Sequence, residues 1–121
     1  MRDLYKQYEA ANRDFRLAAG VAHQIFPTIT IERLWNRANV EGGHGEWVWN
    51  RNGSNAGGWF QFMQGTYYGR SGAAFSAARR LGHIIPAKFN SFYSVLGQNV
   101  TAAYMFTLGL ECSGEGWAAS C

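Results

Sequence analysis

The stretch with the most chemical potential is "VEGGHGEWVWN", residues 40–50. Glu41 closes an apolar helical stripe, Gly42 and Gly43 follow as a stop, and then come His44, Glu46, Trp47 and Trp49. A carboxyl at a helix C-terminus faces the negative end of the macrodipole, which disfavours its anion. Lost hydration beside Trp35 and the later tryptophans acts in the same sense, so the position predicts a carboxyl that keeps its proton near neutral pH. A protonated carboxylic acid in an aromatic cleft is what general-acid cleavage of a glycosidic bond requires. The alternative, from this feature alone, is a helix-end glutamate satisfied by loop amides.

Hydrolytic glycosidases usually pair the acid with a second carboxylate. Eight acidic residues are present, and after Glu46 none recurs until Glu111. Glu46 is therefore the one nearby candidate for a second acid, with a solvated loop residue as the alternative. His23, His44 and His83 have no spacing that would hold a metal, and no cofactor is expected.

Helices must position these groups. Leu4, Tyr8, Ala11, Phe15, Ala18, Ala22 and Ile25 recur at three- and four-residue steps, predicting one helix over 3–26 that stops before Pro27. Thr28 or Thr30 can cap a second helix with Ile31, Leu34, Trp35 and Ala38 on its apolar face. At about 100° per residue, Glu41 falls on the flank of that face. Residues 44–62 alternate aromatic and polar text around "NRNGSN", a short hairpin or irregular β turn. Helical signal returns over 64–81, with Thr66 or Ser71 as a cap, and Pro86 interrupts it. "PAKFNSFYSVLG" reads as another helical piece and "QNVTAAYMFTLGL" as the last, with Val100, Ala103, Tyr104 and Leu108 on one face. The expected class is α+β, predominantly α-helical, with about five helices around a small β-hairpin or irregular insertion.

At 121 residues the natural expectation is one domain, residues 1–121, able to bury a core of its own. No apolar run reaches the roughly 20 residues of a membrane span, so membrane insertion is not expected. The charged start "MRDLYKQYEAANRDFR" excludes a secretory signal peptide, so work outside a cell would need another export route or an excised domain. Net charge is +3, a mild bias toward anionic partners: nucleic acid, a membrane surface or a cell-wall polymer. Arg79–Arg80 is the sole basic pair and reads as a solvated helix face, so nucleic acid is not an expected partner. Five Trp, six Tyr and eight Phe exceed what a small core needs, and several stand in loop text where they could stack on a ligand. Cys112 and Cys121 fit a single disulfide staple of the C-terminal segment, with two buried thiols as the alternative.

Two motifs in order and at a fixed spacing carry a resemblance. "GWFQFMQGT", residues 58–66, is similar to the "G-L-M-Q-L-M-P-S-T" motif of lytic transglycosylases. Gly58 takes the glycine, Trp59 and Phe60 the apolar places, and Gln61 the glutamine. Phe62, Met63 and Thr66 take the second apolar pair and the threonine. Glu41 precedes Gly58 by seventeen positions, as the family's Glu-Ser-Gly precedes its motif. The fuller pattern resembles the resuscitation-promoting-factor type of minimal lysozyme-like domain. It covers Trp35, Ala38, Glu41, Gly42, Gly43 and Trp47, then "GGWFQF", Gln98 and Ala102, and finally Gly114 or Gly116, Trp117 and Cys121. Residues 31–121 would form the catalytic region, and residues 1–30 have no counterpart. Val40 replaces the family's cysteine, Gly42 its serine, and one extra residue precedes Trp47; Cys112 offers Cys121 a local partner instead.

The resemblance implies a lysozyme-like fold and cleavage of the β-1,4 bond between N-acetylmuramic acid and N-acetylglucosamine in peptidoglycan. It implies Glu41 as catalytic acid, Gln61 on the cleft wall, and Trp47, Trp59, Tyr67 and Glu46 as substrate contacts. With one well-placed acid, the expected chemistry is that of a lytic transglycosylase, in which the sugar's own 6-hydroxyl closes a 1,6-anhydro ring. The alternatives are a muramidase using Glu41 with Glu46, and an inactive wall-binding or structural phage module. The expected setting is extracellular, a cell wall or a phage virion, with peptidoglycan glycan strands as partner and the isolated domain a monomer. Tyr104 is expected in the core, because "AAYMF" lacks the asparagine of the family's Ala-Tyr-Asn motif.

Overall fold

A computed structural model describes residues 2–41, 46–49 and 56–110. Among these the chain is predominantly helical, with five α-helices and one short 3₁₀ turn at Ala87–Phe89. The helices are α1 (Arg2–Ala11), α2 (Phe15–Ile25), α3 (Ile31–Val40), α4 (Gln64–Arg80) and α5 (Val95–Thr107).

The single helix expected over 3–26 is two. The apolar period continues through Ala11 and Phe15, but the intervening polar side chains are claimed by other partners. Asp14, extended at φ −146°, caps α2 by accepting the Leu17 N–H at 3.0 Å. Asn12 Oδ1 accepts from Ser94 Oγ at 2.6 Å and from the Leu96 N–H at 3.3 Å, which ties the break to the start of α5. Aspartate competes for backbone donors at a cap better than it sustains a helix interior.

Thr30, not Thr28, caps α3 by accepting the Arg33 N–H at 3.0 Å. Helix α4 matches the expected 64–81, yet neither Thr66 nor Ser71 caps it; Met63 precedes it without a side-chain cap. Gly65, Gly69 and Gly72 lie on the solvent side of α4, where an added Cβ would meet nothing. The stretch "PAKFNSFYSVLG" forms only the 3₁₀ turn before Ser94, whose hydroxyl accepts the Gly97 N–H at 2.8 Å and starts α5.

Helix α5 is the centre of the fold. It packs most extensively on α2 and α4 and also touches α1 and α3. Eleven of its residues, Val95–Ala103 with Met105 and Phe106, are buried, so it has no single apolar stripe. Tyr104 is half-buried against Phe26 at 6.1 Å, while Leu108 is exposed. A helix buried on all sides carries little amphipathic signal, which is why the four-residue face read from the sequence is incomplete. The core gathers Phe15, Leu34, Phe60, Phe62, Tyr67, Phe92, Leu96 and Met105 around it.

The insertion between α3 and α4 contains two isolated antiparallel bridges, Trp49 with Gly57 and Gly57 with Phe62, and no strand among the described residues. The "NRNGSN" turn, and with it the choice between a hairpin and an irregular turn, lies outside the described residues. No helix among the described residues is long and apolar enough to cross a membrane.

Candidate active site

Glu41 is the C-cap of α3, with its backbone N–H directed at the carbonyls of Arg37 and Asn39. Its side chain is 12% exposed, set in the wall of the protein with an edge open. The position therefore matches the expected junction of helix and insertion. Its surroundings differ from those expected. Trp35 is packed edge-on against Phe15 at 5.4 Å, with the Arg16 guanidinium 4.6 Å over its ring. What stands beside the Glu41 carboxylate is Arg37, one turn back, with Nε 3.2 Å from Oε1 and 9% exposed. The two form a close ion pair. The i,i+4 spacing makes this contact available on any helix surface. Both charges are largely withdrawn from water, so the pair is screened far less than a surface one.

Seven residues on, Val48 joins the second motif. Its carbonyl accepts the Gly58 N–H at 2.8 Å and Gln61 Nε2 at 2.9 Å. Gln61 Nε2 also donates to the Gly58 carbonyl at 2.9 Å. Gln61 sits at φ +53°, in the left-handed region that non-glycine residues seldom enter. The contorted backbone turns its amide inward, where it knits the turn. Its expected place on the cleft wall, reaching a sugar or Glu41, is corrected to this extent: the amide nitrogen is committed to two backbone carbonyls.

Gln98 holds the same loop from the other side. Fully buried on α5, it accepts the Phe60 N–H at Oε1 (3.3 Å) and donates from Nε2 to the Phe92 carbonyl at 2.7 Å. Gly58, at φ +85°, passes so close that a Cβ there would strike the Gln98 carboxamide. The glycine, the glutamine of the loop and the glutamine of the last helix, spread over forty residues of sequence, form one packed unit.

The remaining expected contacts separate. Tyr67 is wholly buried, in ring contact with Phe62, Tyr68 and Phe92, and its hydroxyl donates to Asn90 Oδ1 at 3.1 Å. No face is left for a sugar, so its expected stacking role is withdrawn. Burial also pushes its hydroxyl pKa well above the usual tyrosine range. Trp59 is half-buried against the core. Trp47 is half-buried too, and it supports two more open rings, Trp49 and Tyr93, which fall outside the expected substrate contacts. Trp49 meets it edge-on at 4.7 Å, and Tyr93 lies on it at 5.4 Å and 31°. Trp49 and Tyr93 are the exposed members of this cluster. Trp49 shares the 40–50 stretch with Trp47, and no spacing separates the two; Tyr93 lies in the connection before α5 and belongs to no motif. A groove of about 370 Å³ opens beside Trp49, lined also by Met63, Gln64 and Gly65.

Glu46 is exposed. His44, Gly42, Gly43, Cys112, Trp117 and Cys121 lie outside the described residues, and the Cys112–Cys121 pairing with them. Among the described residues no group of three or more His, Cys, Asp or Glu converges. The arrangement offers one enclosed, arginine-paired carboxyl, a rigid turn joined to it by a short segment, and an aromatic groove beside that turn. Comparisons with known protein families, with characterised proteins and with solved structures find no match to this chain.

Proposed function

We propose that the protein is a peptidoglycan-cleaving enzyme with a lysozyme-like fold, acting as a lytic transglycosylase with Glu41 as its one catalytic acid. The observation that carries this reading is the bonding at Val48: its carbonyl, seven positions after Glu41, is pinned to the Gly58–Gln61 turn. A carboxyl at a helix end, 12% exposed and followed by a braced turn, is suited to a polymer laid across the surface.

In this scheme Glu41 gives its proton to the glycosidic oxygen as the bond to the N-acetylmuramic acid C1 breaks. The acetamido oxygen of the same sugar steadies the positive charge at C1. The Glu41 carboxylate then takes the proton of the 6-hydroxyl as that oxygen bonds to C1, closing the 1,6-anhydro ring. No water is consumed and the carboxyl is restored. Between the two proton transfers Glu41 is an anion, and the Arg37 guanidinium 3.2 Å away steadies that form.

The test is clearing of purified peptidoglycan. Glu41→Gln keeps size and polarity but has no proton to give, and should lower the rate by about 10²–10⁴-fold. Under the single-acid scheme Glu46→Gln should cost less than about tenfold, or 1.4 kcal/mol of barrier. Released muropeptides should be lighter by one water than hydrolytic products. Reducing ends together with an inactive Glu46→Gln protein would instead assign a muramidase. A second reading, a wall-binding module without catalysis, is favoured by the Arg37–Glu41 ion pair, which already engages the carboxylate. Binding to peptidoglycan without any bond cleavage would select it.

A further inference from the structure

Four aromatic side chains among the described residues are exposed, Tyr5, Trp49, Tyr68 and Tyr93, and two of them, Trp49 and Tyr93, share one ring cluster through Trp47 and Phe92. Trp49 is 48% exposed and Tyr93 58%. Both are anchored. Trp49 rests on the backbone of Gly57, where a Cβ would lie 2.8 Å from its ring, and it is braced by Trp47 and by Phe92 at 6.1 Å. Tyr93 is braced by Trp47 and by Phe92 at 5.3 Å, and its hydroxyl receives Gln64 Nε2 at 3.2 Å. Rings fixed in this way lose little freedom when a ligand settles on them. The groove between Trp49 and Gln64, about 370 Å³, lies within the range of small-ligand sites, roughly 300–1,000 Å³. None of its described lining residues is charged. Flat apolar rings, an amide and a phenol hydroxyl match a ligand with one C–H face and a rim of hydroxyl and amide groups.

We infer that Trp49, Tyr93 and Gln64 form a binding subsite for a neutral N-acetylated amino sugar. The C–H face of the pyranose would stack on Trp49, and its hydroxyl or acetamido groups would meet Gln64 and the Tyr93 hydroxyl. This deepens the proposed function, since it identifies the ring of the glycan strand held beside the turn, but binding does not depend on cleavage. It also replaces Tyr67 by residues that have an open face. An anionic ligand has no counter-charge among these residues, and a stem peptide would leave the indole face without a ring to cover.

Titration calorimetry with triacetylchitotriose, a neutral N-acetylglucosamine trimer, tests the subsite. The full chain carrying Glu41→Gln is used so that the ligand survives. Saturable binding is expected. Trp49→Ala should weaken it by about tenfold or more, the loss associated with truncating a central aromatic contact. Tyr93→Ala should weaken it similarly, and Trp49→Phe less. Both truncated residues are half-exposed, and unchanged far-ultraviolet circular dichroism will confirm that the variants fold. Absence of binding by the parent protein, or equal affinity in Trp49→Ala, would overturn the inference. Concentration-dependent dimerisation abolished by Trp49→Ala, without sugar binding, would assign the patch to self-association and overturn it as well. Peptidoglycan clearing with unchanged trimer affinity in Trp49→Ala would remove this subsite and leave the Glu41 reading standing. Trimer binding lost in Trp49→Ala, with no clearing by the unmodified enzyme, would do the reverse.

Discussion

Gly58→Ala should unfasten the turn that joins the two motifs, and its cost can be worked from two contacts. At φ +85° an alanine pays for a left-handed backbone, about 1–2 kcal/mol. Its Cβ also displaces the Gln98 carboxamide, which bonds the Phe60 N–H and the Phe92 carbonyl. Two such bonds contribute about 1 kcal/mol each, and more if the buried groups they satisfy are stranded. The sum is about 3–4 kcal/mol, a substantial part of the roughly 5–15 kcal/mol that holds a domain together. Gln98→Ala removes the same bonds without touching the backbone angle and should cost a comparable amount. In the Gln98→Ala background the collision is gone, so Gly58→Ala should then cost only the backbone share. The double-mutant cycle should accordingly show a coupling of about 2 kcal/mol. Urea unfolding followed by tryptophan fluorescence measures all four proteins. A Gly58→Ala cost below about 1 kcal/mol, or additive single costs, would refute the reasoning, because each requires that the two residues do not share this contact.

Arg37→Met should destabilise the protein by about 3 kcal/mol, since it leaves a largely buried carboxylate without this cation, and Glu41→Gln in the same chain should recover part of the loss; thermal melts of the two single variants and the double variant check this. Tyr67 brings a pH dependence on the alkaline side. Its folded pKa is raised by burial, so the unfolded chain releases the proton first. The stabilisation is full below the ordinary tyrosine pKa of about 10 and is lost as pH rises above it. Tyr67→Phe should flatten that decline, measured by urea midpoints across the alkaline range. Gly69→Ala and Gly72→Ala on the open side of α4 should each stabilise by up to about 1 kcal/mol, read as a rise in melting temperature, because the added methyl meets nothing.

Helix positions were legible where side chains and caps agreed, and obscure where a tertiary partner overruled them. The apolar stripe of α3 and a threonine cap at Thr28 or Thr30 suffice to put Glu41 at a helix end, and Thr30 is the cap. The break at 12–14 was hidden because Asn12 is bound by Ser94, eighty-two positions away, a bond no local pattern announces. Glu41's neighbour is legible in the sequence as Arg37 at i−4, a spacing that brings the cation beside the carboxylate on one helix face. For the aromatics, type alone could not decide. Tyr67 faces inward from α4 while its neighbour Tyr68 is exposed, and only the packing of α4 on α5 distinguishes them. Tyr93 comes beside the groove through the fold alone, where its hydroxyl accepts from Gln64.

The three solvent-side glycines of α4 bear on motion as well as on stability. Each weakens the intrinsic tendency to stay helical by about 1 kcal/mol relative to alanine, so this segment is held chiefly by its seam with α5. In hydrogen exchange its first turns should open more often than α5, which is enclosed on every side. Those turns carry Gln64 and Gly65, which form one bank of the groove beside Trp49. A helix whose stiffness ends where the aromatic anchors begin would let that bank yield to a bulky strand as it arrives, while the indole opposite keeps its place.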